Sequence, residues 1–122
     1  MLDYNGTHVL KFFLNVSLDE QKKRFLDRIE QPDKNWKFNA GDAKERALWK
    51  DYMNAYTDAM EATSTDKSPW FIIPADKKWF TRLAVSDIII NKMESLNLKY
   101  PTVTEAHKAD LLEAKKMLES EA

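Results

Sequence analysis

The sequence predicts part of an α/β domain: two parallel strands with helices between and after them. Two apolar runs of strand type, over 7–16 and 70–73, are separated by stretches of helical periodicity. Cap signatures stand where each helical stretch should begin. Strands joined through helices imply a crossover, and such crossovers are right-handed in nearly all cases. Two strands alone make a poor sheet, because independent stability needs at least a third strand or good helical cover. The chain therefore reads as the later part of a larger sheet, with no element before the first strand to pair on its other edge.

The first strand, Thr-His-Val-Leu-Lys-Phe-Phe-Leu-Asn-Val from Thr7 to Val16, is almost continuously apolar, as expected of a strand covered on both faces. Ser17-Leu-Asp-Glu20 has capping-box spacing and opens a helix that should run to about Gln31, before Pro32. On it Leu18, Phe25 and Ile29 share one face, with Arg24 and Arg28 on a separate edge. Residues 32–41 read as a loop. Asp42-Ala-Lys-Glu45 is a second candidate box, opening one long helix to about Ala62, with a wide apolar arc that includes Trp49, Tyr52, Met53 and Tyr56. Trp70-Phe-Ile-Ile is the second strand, ended by Pro74. Asp76 is placed to cap a third helix to about Leu96, apolar around much of its circumference and so expected to pack on more than one neighbour. Thr102-x-x-Glu105 introduces an exposed tail helix. The domain division expected is 1–101 for the α/β part and 102–122 for the tail.

Composition narrows the class. The chain has 122 residues, enough for one domain, and its 43% apolar and 32% charged residues are a globular balance. A formal charge of −1 argues against a broad cationic surface for duplex nucleic acid, though a local basic cleft remains compatible with it. Without cysteine there are no disulfides, thiol nucleophiles or thiolate metal sites. Neither a leader pattern nor an 18-residue apolar run is present, so no membrane association and a cytoplasmic location are expected. The only glycines are Gly6 and Gly41, so a G-x-x-x-x-G-K phosphate loop cannot be written in this sequence.

The chemistry-bearing candidates are Arg24, Arg28, Lys34, Lys37 and Arg46, spread over two helix edges and their connection, with Trp36 and Trp49 interleaved. Phosphoryl transfer needs cations that follow charge on the phosphate oxygens, and arginine forks and lysine point charges both serve. The pattern suits a mobile flap over a string of phosphates. The competing reading is a solvated charged helix face, with Glu20 and Arg24 an ordinary i, i+4 pair. Trp36, Trp49, Trp70 and Trp79 read as core or as stacking surfaces, Trp36 being the least core-like. Asp76 and the run Pro74-Ala-Asp-Lys-Lys78 lie at a strand's carboxyl end, where α/β sheets place ligands, but a helix cap explains Asp76 equally well. Thr63-Ser-Thr65 offers hydroxyls to phosphate or forms a solvated loop. His8 and His107 stand without partners at ligand spacing, and no metal site or catalytic triad is expected.

Several segments in order carry a resemblance: Asn-Gly-Thr-His-Val-Leu-Lys-Phe-Phe-Leu from Asn5, Glu-Gln-Lys-Lys-Arg-Phe-Leu-Asp-Arg to Arg28, Pro-Asp-Lys-Asn-Trp-Lys-Phe from Pro32, Asp-Ala-Lys-Glu-Arg-Ala-Leu-Trp to Trp49, Tyr-Met-Asn-Ala-Tyr to Tyr56, Thr-Ser-Thr from Thr63, Pro-Trp-Phe-Ile-Ile-Pro-Ala-Asp to Asp76, and Arg82-Leu. From Asn5 to Pro101 the chain resembles the C-terminal half of the polyphosphate kinase 2 family, the polyphosphate:nucleotide phosphotransferases. That resemblance implies a partial P-loop-kinase-like three-layer fold, with the two strands late in the sheet and a helical lid over about 32–62. It implies inorganic polyphosphate and a nucleoside mono- or diphosphate as partners, with magnesium carried by the substrate phosphates. By the same resemblance Arg24 and Arg28 fall in the lid-base arginine segment, Lys34 and Lys37 in the Pro-x-Lys-x-Trp-Lys segment, and Arg46 in the lid-helix Glu-Arg pair.

The resemblance places the phosphate loop and the catalytic groups in an N-terminal half, and Met1 where a helix would be finishing. No catalytic residue is therefore expected in this chain, and none is assigned to the nucleotide. The expectation is a phosphotransferase part inactive alone, self-associating or pairing with the missing half. The alternatives are a polyanion-binding module without chemistry and a protein-interaction module.

Overall fold

The computed structural model describes residues 5–121. The expected helix end at Met1, and Ala122 of the tail, lie outside the described residues. The chain divides into two compact units, one through Asn91 and one from Lys92.

The first unit is built on two parallel strands, β1 (Lys11–Asn15) and β2 (Trp70–Pro74), paired from Lys11↔Trp70 to Asn15↔Pro74. The amide of Ala75 extends the ladder with a 3.0 Å bond to the Asn15 carbonyl. β1 is half the length expected from its apolar run, because a strand lasts only as long as its partner. β2 offers five residues and ends at Pro74, which has no N–H to donate. Alternation puts Phe12, Leu14, Phe71 and Ile73 on one face and Lys11, Phe13, Trp70 and Ile72 on the other. Phe12 and Phe71 meet with ring centroids 5.7 Å apart. Ile73 and Ala75 are the buried apolar residues among those described, whereas Leu14 and Ile72 are 53% and 60% exposed. The expected cover on both faces is thus incomplete.

Helix α1 (Leu18–Glu30) starts where the sequence places it. The Ser17 hydroxyl oxygen accepts from the Glu20 amide at 3.1 Å, satisfying one of the orphan donors of the first turn. Only this half of the expected box forms, since the Glu20 carboxylate instead takes the Arg24 Nε at 3.1 Å. At the other end Asn35 Nδ2 donates to the Arg28 and Ile29 carbonyls, both at 2.8 Å.

Pro32–Lys37 is not a plain loop but a 3-10 turn, from which the chain runs back along α1. Asn35 meets the end of α1, Phe38 packs on Phe25 with centroids 5.5 Å apart, and Arg46 reaches the first turn. The long helix expected after Asp42 is divided into α2 (Ala40–Glu45), a 3-10 turn Arg46–Leu48 and α3 (Trp49–Thr63). Its cap is Asn39, whose side chain takes the Gly41 amide at 2.8 Å while Asp42 takes the Asn39 amide at 3.3 Å. Asp42 is therefore the third residue of the box and not its cap. The break falls where Arg46 is drawn toward α1, a tertiary tie overriding a periodicity that on its own continues.

Helix α3 lies on the Phe13 face of the sheet. Tyr56 meets Phe13 at 5.0 Å between centroids, and Thr63 is tied to both strands: its carbonyl takes Lys11 Nζ at 2.6 Å and its hydroxyl takes Trp70 Nε1 at 2.7 Å. Helix α4 (Lys78–Ser95) follows β2 and is as apolar as expected, yet Trp79, Leu83 and Ile90 are 64%, 61% and 53% exposed. In the second unit the end of α4 leads through Asn97, at φ 50, to α5 (Glu105–Glu119). The α5 cap is Thr104, which accepts from the His107 amide at 3.1 Å, two residues later than the box expected at Thr102. No helix among the described residues is long and apolar enough to cross a membrane.

Candidate functional site

Among the described residues, Arg24 and Arg46 line separate hollows, and the five candidate cations hold different partners. Arg24 leaves the middle of α1 toward the carboxyl end of β2, where its Nη2 donates to the Ala75 carbonyl at 2.8 Å and to that of Asp76 at 3.0 Å. With Nε on Glu20, the guanidinium braces helix to strand end. Arg46 Nη1 donates to the Leu18 carbonyl at 2.7 Å and to Gln21 Oε1 at 3.2 Å, fastening the α2–α3 junction to the start of α1. Lys34 pairs with Asp27 at 2.8 Å, fastening the 3-10 turn to the end of α1. Arg28 and Lys37 rest instead on aromatic rings, 6.0 Å from the Phe25 centroid and 5.2 Å from that of Trp36. Trp36 is 80% exposed, so Lys37 and Trp36 project together into solvent. A cation on an indole face keeps its charge available to an anion above it.

Three hollows lie in the first unit; Arg24 lines one of them and Arg46 another. One, of about 450 Å³, is walled by α1, α2, α3 and the end of β1; Phe13, Phe25, Trp49, Tyr52 and Tyr56 make it aromatic, with Arg46 at its edge. The second, of about 780 Å³, runs along α1, where Lys22, Lys23, Arg24 and Lys78 face Asp19, Glu20, Asp27, Glu30 and Asp76, a near balance of charge. The third, of about 560 Å³, lies at the carboxyl ends of both strands between Asn15, Ser17, Asp76, Lys77 and Trp79. Its position is that of ligand sites in open α/β sheets.

Asp76 has a clear local task. Its Oδ1 accepts from the Ser17 amide at 2.7 Å, so it ties the carboxyl end of β2 to the N-terminus of α1. That backbone bond holds its carboxyl below the ordinary carboxylate range, with the Ser17 hydroxyl and the charge of Arg24 acting in the same sense. Asp27 is lowered likewise, first by its hydrogen bond to Lys34, and also by Gln31. Tyr52 is raised above the ordinary phenol value because its hydroxyl donates to Glu45 at 2.5 Å, and a phenolate there would face a carboxylate. The hydroxyls of Thr63 and Ser64 serve the entry to β2: Thr63 Oγ1 donates to the Ala59 carbonyl, and Ser64 Oγ takes the Trp70 amide. Thr65 Oγ1 takes the Ser68 amide.

Lys22 and Lys23 are not among the sequence candidates, although Lys22-Lys23-Arg24 is a visible cationic run, whereas Lys78 ends the candidate run that begins at Pro74. The aromatic cleft was partly legible, since Trp49, Tyr52, Met53 and Tyr56 recur at helical spacing, but that spacing equally describes a core stripe. Phe13 and Phe25 join it only through tertiary structure.

The family model described as Polyphosphate kinase 2 (PPK2) matches residues 1–101. The chain belongs to the polyphosphate kinase 2 family. It is 50% identical over 117 residues to an ADP-polyphosphate phosphotransferase of Rhodopseudomonas palustris, covering 96% of this chain and 40% of that protein. It is 46% identical over 101 residues to an AMP/ADP-polyphosphate phosphotransferase of Meiothermus ruber, covering 83% of this chain and 38% of the other. A protein of Leptolyngbya boryana, described only by its position in the chlN 3' region, is 65% identical over 96% of this chain and 86% of its own length. Among solved structures, that of polyphosphate kinase 2 from Arthrobacter aurescens matches with a TM-score of 0.80 and 43% identity, over 92% of this chain and 41% of the other. The chain thus spans about two fifths of the length of these phosphotransferases, with the mixed α/β arrangement of part of their fold.

Proposed function

We propose that this polypeptide forms the lid and late-strand part of a polyphosphate kinase 2-type phosphotransferase, which moves phosphate between inorganic polyphosphate and a nucleoside mono- or diphosphate. The observation that carries the reading is the family match across 1–101, joined to a likeness of 0.80 TM-score with a solved member. In this reading the fold is part of a three-layer P-loop-kinase-like domain, and the lid is the segment 32–62. Lys37 and Arg28 are the cations best placed to meet phosphate, because aromatic rings hold them without quenching their charge. Arg24, Lys34 and Arg46 contribute by holding the lid segment, α1 and the strand ends in register, and meet phosphate only by exchanging their present partners.

Magnesium would arrive on the substrate phosphates, as is usual for an ion that dehydrates reluctantly and takes few protein ligands. Among the described residues no three histidines or carboxylates gather into a cage for it. Phosphoryl transfer rests on positioning and charge stabilisation, and the cradle of backbone amides that a phosphate loop supplies cannot be written in this sequence. The full chain incubated with polyphosphate, magnesium and ADP or AMP should therefore phosphorylate neither. Robust turnover would overthrow the claim that a further part of the domain is required.

A second reading, polyanion capture without chemistry, is favoured by the exposed Trp36–Lys37 pair. Titration with polyphosphate should then give binding that weakens with salt and with Lys37→Ala. Indifference to both would remove this reading.

A further inference from the structure

We propose that the Asn5–Gly6 link is a self-modifying site: it converts to isoaspartate without an enzyme, and the product is an acceptor for a protein carboxyl methyltransferase. The proposal is independent of the phosphotransferase reading. An asparagine converts when the backbone nitrogen of the next residue reaches its side-chain carbonyl carbon. The next side chain and the local backbone decide whether that approach is open. Glycine presents no Cβ to block it and turns freely about φ and ψ. Both residues are exposed, and they precede β1. Gly6 stands at φ 77, and a Cβ placed on it meets nothing within 4 Å, so open space surrounds the peptide plane that must swing.

The other asparagines are restrained or crowded, and none of them precedes glycine. Asn15 lies in β1 before the branched Val16, and its carbonyl takes the Ala75 amide. The Asn35 side chain donates to two carbonyls of α1, and that of Asn39 caps α2. Asn54 and Asn91 lie within α3 and α4, where helix geometry fixes the following nitrogen. Asn97 shares a positive φ with Gly6, but Leu98 follows it.

In the first step the Gly6 nitrogen bonds to Asn5 Cγ. The carbon–nitrogen bond of the side-chain amide breaks, and ammonia leaves with the proton that Gly6 gave up through solvent. Water then opens the five-membered imide. Opening at the main-chain carbonyl leaves the chain running through the former side-chain carbon, with the main-chain carboxylate free, which is isoaspartate. Opening at the other carbonyl gives aspartate. Either product adds one negative charge to the formal −1 of the chain. In the methyltransferase step an isoaspartate oxygen bonds to the methyl carbon of a sulfonium donor, the carbon–sulfur bond breaks, and a thioether leaves. The exposure of Asn5 and Gly6 puts that carboxylate within reach of such a partner.

The test ages the folded full chain in mildly alkaline heavy-oxygen water, then digests it in ordinary water after lysine and arginine. That digestion leaves every asparagine on its own fragment, Asn5 on 1–11. Fragment 1–11 should exchange its amide nitrogen for one heavy oxygen and separate into two products. A protein carboxyl methyltransferase with a labelled sulfonium donor should mark the aged chain and not the fresh one. Gly6→Ala should slow the conversion by about tenfold or more. Because alanine is strained at φ 77, Asn5→Gln is the second variant: it leaves Gly6 in place, demands a six-membered ring and should remove the heavy-oxygen label from 1–11. Five results would each overturn the proposal: an unlabelled 1–11, equal label on another asparagine fragment, an undiminished rate in Gly6→Ala, label on 1–11 that persists in Asn5→Gln, or an aged chain that takes no methyl group.

Discussion

Arg24 decides whether the cations of α1 are free for a ligand or committed to the fold, and Arg24→Ala reads the answer. Its Nη2 makes two bonds to the carbonyls that end β2, at 2.8 and 3.0 Å, and its Nε a third to Glu20 at 3.1 Å. A hydrogen bond to a charged group contributes about 1.5–3 kcal/mol when well shielded. The Arg24 side chain is 29% exposed, so the lower part of that range applies, and the two carbonyl bonds share one nitrogen. The i, i+4 pair with Glu20 adds only about 0.3–0.5 kcal/mol. The loss expected on Arg24→Ala is therefore about 2 kcal/mol. Arg24→Lys keeps the charge beside Glu20 but cannot fork, and should lose roughly half as much. In urea, with a slope near 2 kcal/mol per molar, the alanine midpoint should fall by about 1 M. Polyphosphate should stabilise wild type and Arg24→Ala by equal increments, since a brace does not bind the ligand. An alanine variant within about 0.5 kcal/mol of wild type, or one that loses the increment from polyphosphate, would refute the bracing role.

Three other predictions follow from local chemistry. Asp76 has a lowered carboxyl pKa, so its contribution is present above the unfolded carboxylate value and is lost as pH falls through the folded one; the gap in thermal midpoint between wild type and Asp76→Ala should hold steady above about pH 5 and close below about pH 4. A gap that ignores pH would show that the Ser17 amide does not depend on that charge. Asn39→Ala removes the side chain that caps α2 and should cost about 1 kcal/mol in urea unfolding, whereas Asp42→Ala should cost less, because it supplies the weaker 3.3 Å half of the box. In an alkaline absorbance titration Tyr52 should ionise above the ordinary phenol value, and Glu45→Gln should bring it back down; no response to that substitution would discount the Tyr52–Glu45 bond.

Local signals in the sequence located elements well and their ends less well. Ser17 and Pro32 bracket α1 because a side-chain cap and a missing N–H act within one turn, with no help from the rest of the molecule. The two strands were legible as apolar runs, but the length of β1 was not, since five residues of β2 set it. Two box patterns, at Asp42 and Thr102, matched in spacing while the caps used are Asn39 and Thr104. A capping box is short, and overlapping polar residues offer more than one register. The division of the long second helix was illegible, because it follows from Arg46 reaching across to Leu18 and Gln21. For the site, the residue types were legible but their present partners were not: spacing shows that Arg24 and Arg28 share an edge of α1, and only the packed chain shows one held by carbonyls and the other lying on Phe25.

That difference between held and ring-borne cations bears on how a lid could work. The sequence suggests a mobile flap, yet the segment 32–48 is fastened along α1 by Lys34 on Asp27, Asn35 on two carbonyls, Phe38 on Phe25, and Arg46 on Leu18. Each tie is partly exposed, and at about 0.5–1.5 kcal/mol apiece they sum to roughly 3–5 kcal/mol against peeling the segment away. A ligand that drives such a release must bind the released state more tightly by at least that amount, a factor of roughly a thousand. Polyphosphate offers a plausible source only where its oxygens replace the carboxylate and carbonyls that Lys34 and Arg46 now hold, because the cations then exchange one set of acceptors for a more highly charged one. Motion of α1 together with 32–48 meets a different resistance, the Ser17–Asp76 and Arg24–Ala75 bonds at the strand ends. Those bonds lie beside the hollow at the carboxyl ends of the strands, and breaking them would move the helix and the segment it carries as one piece, without undoing any tie between them.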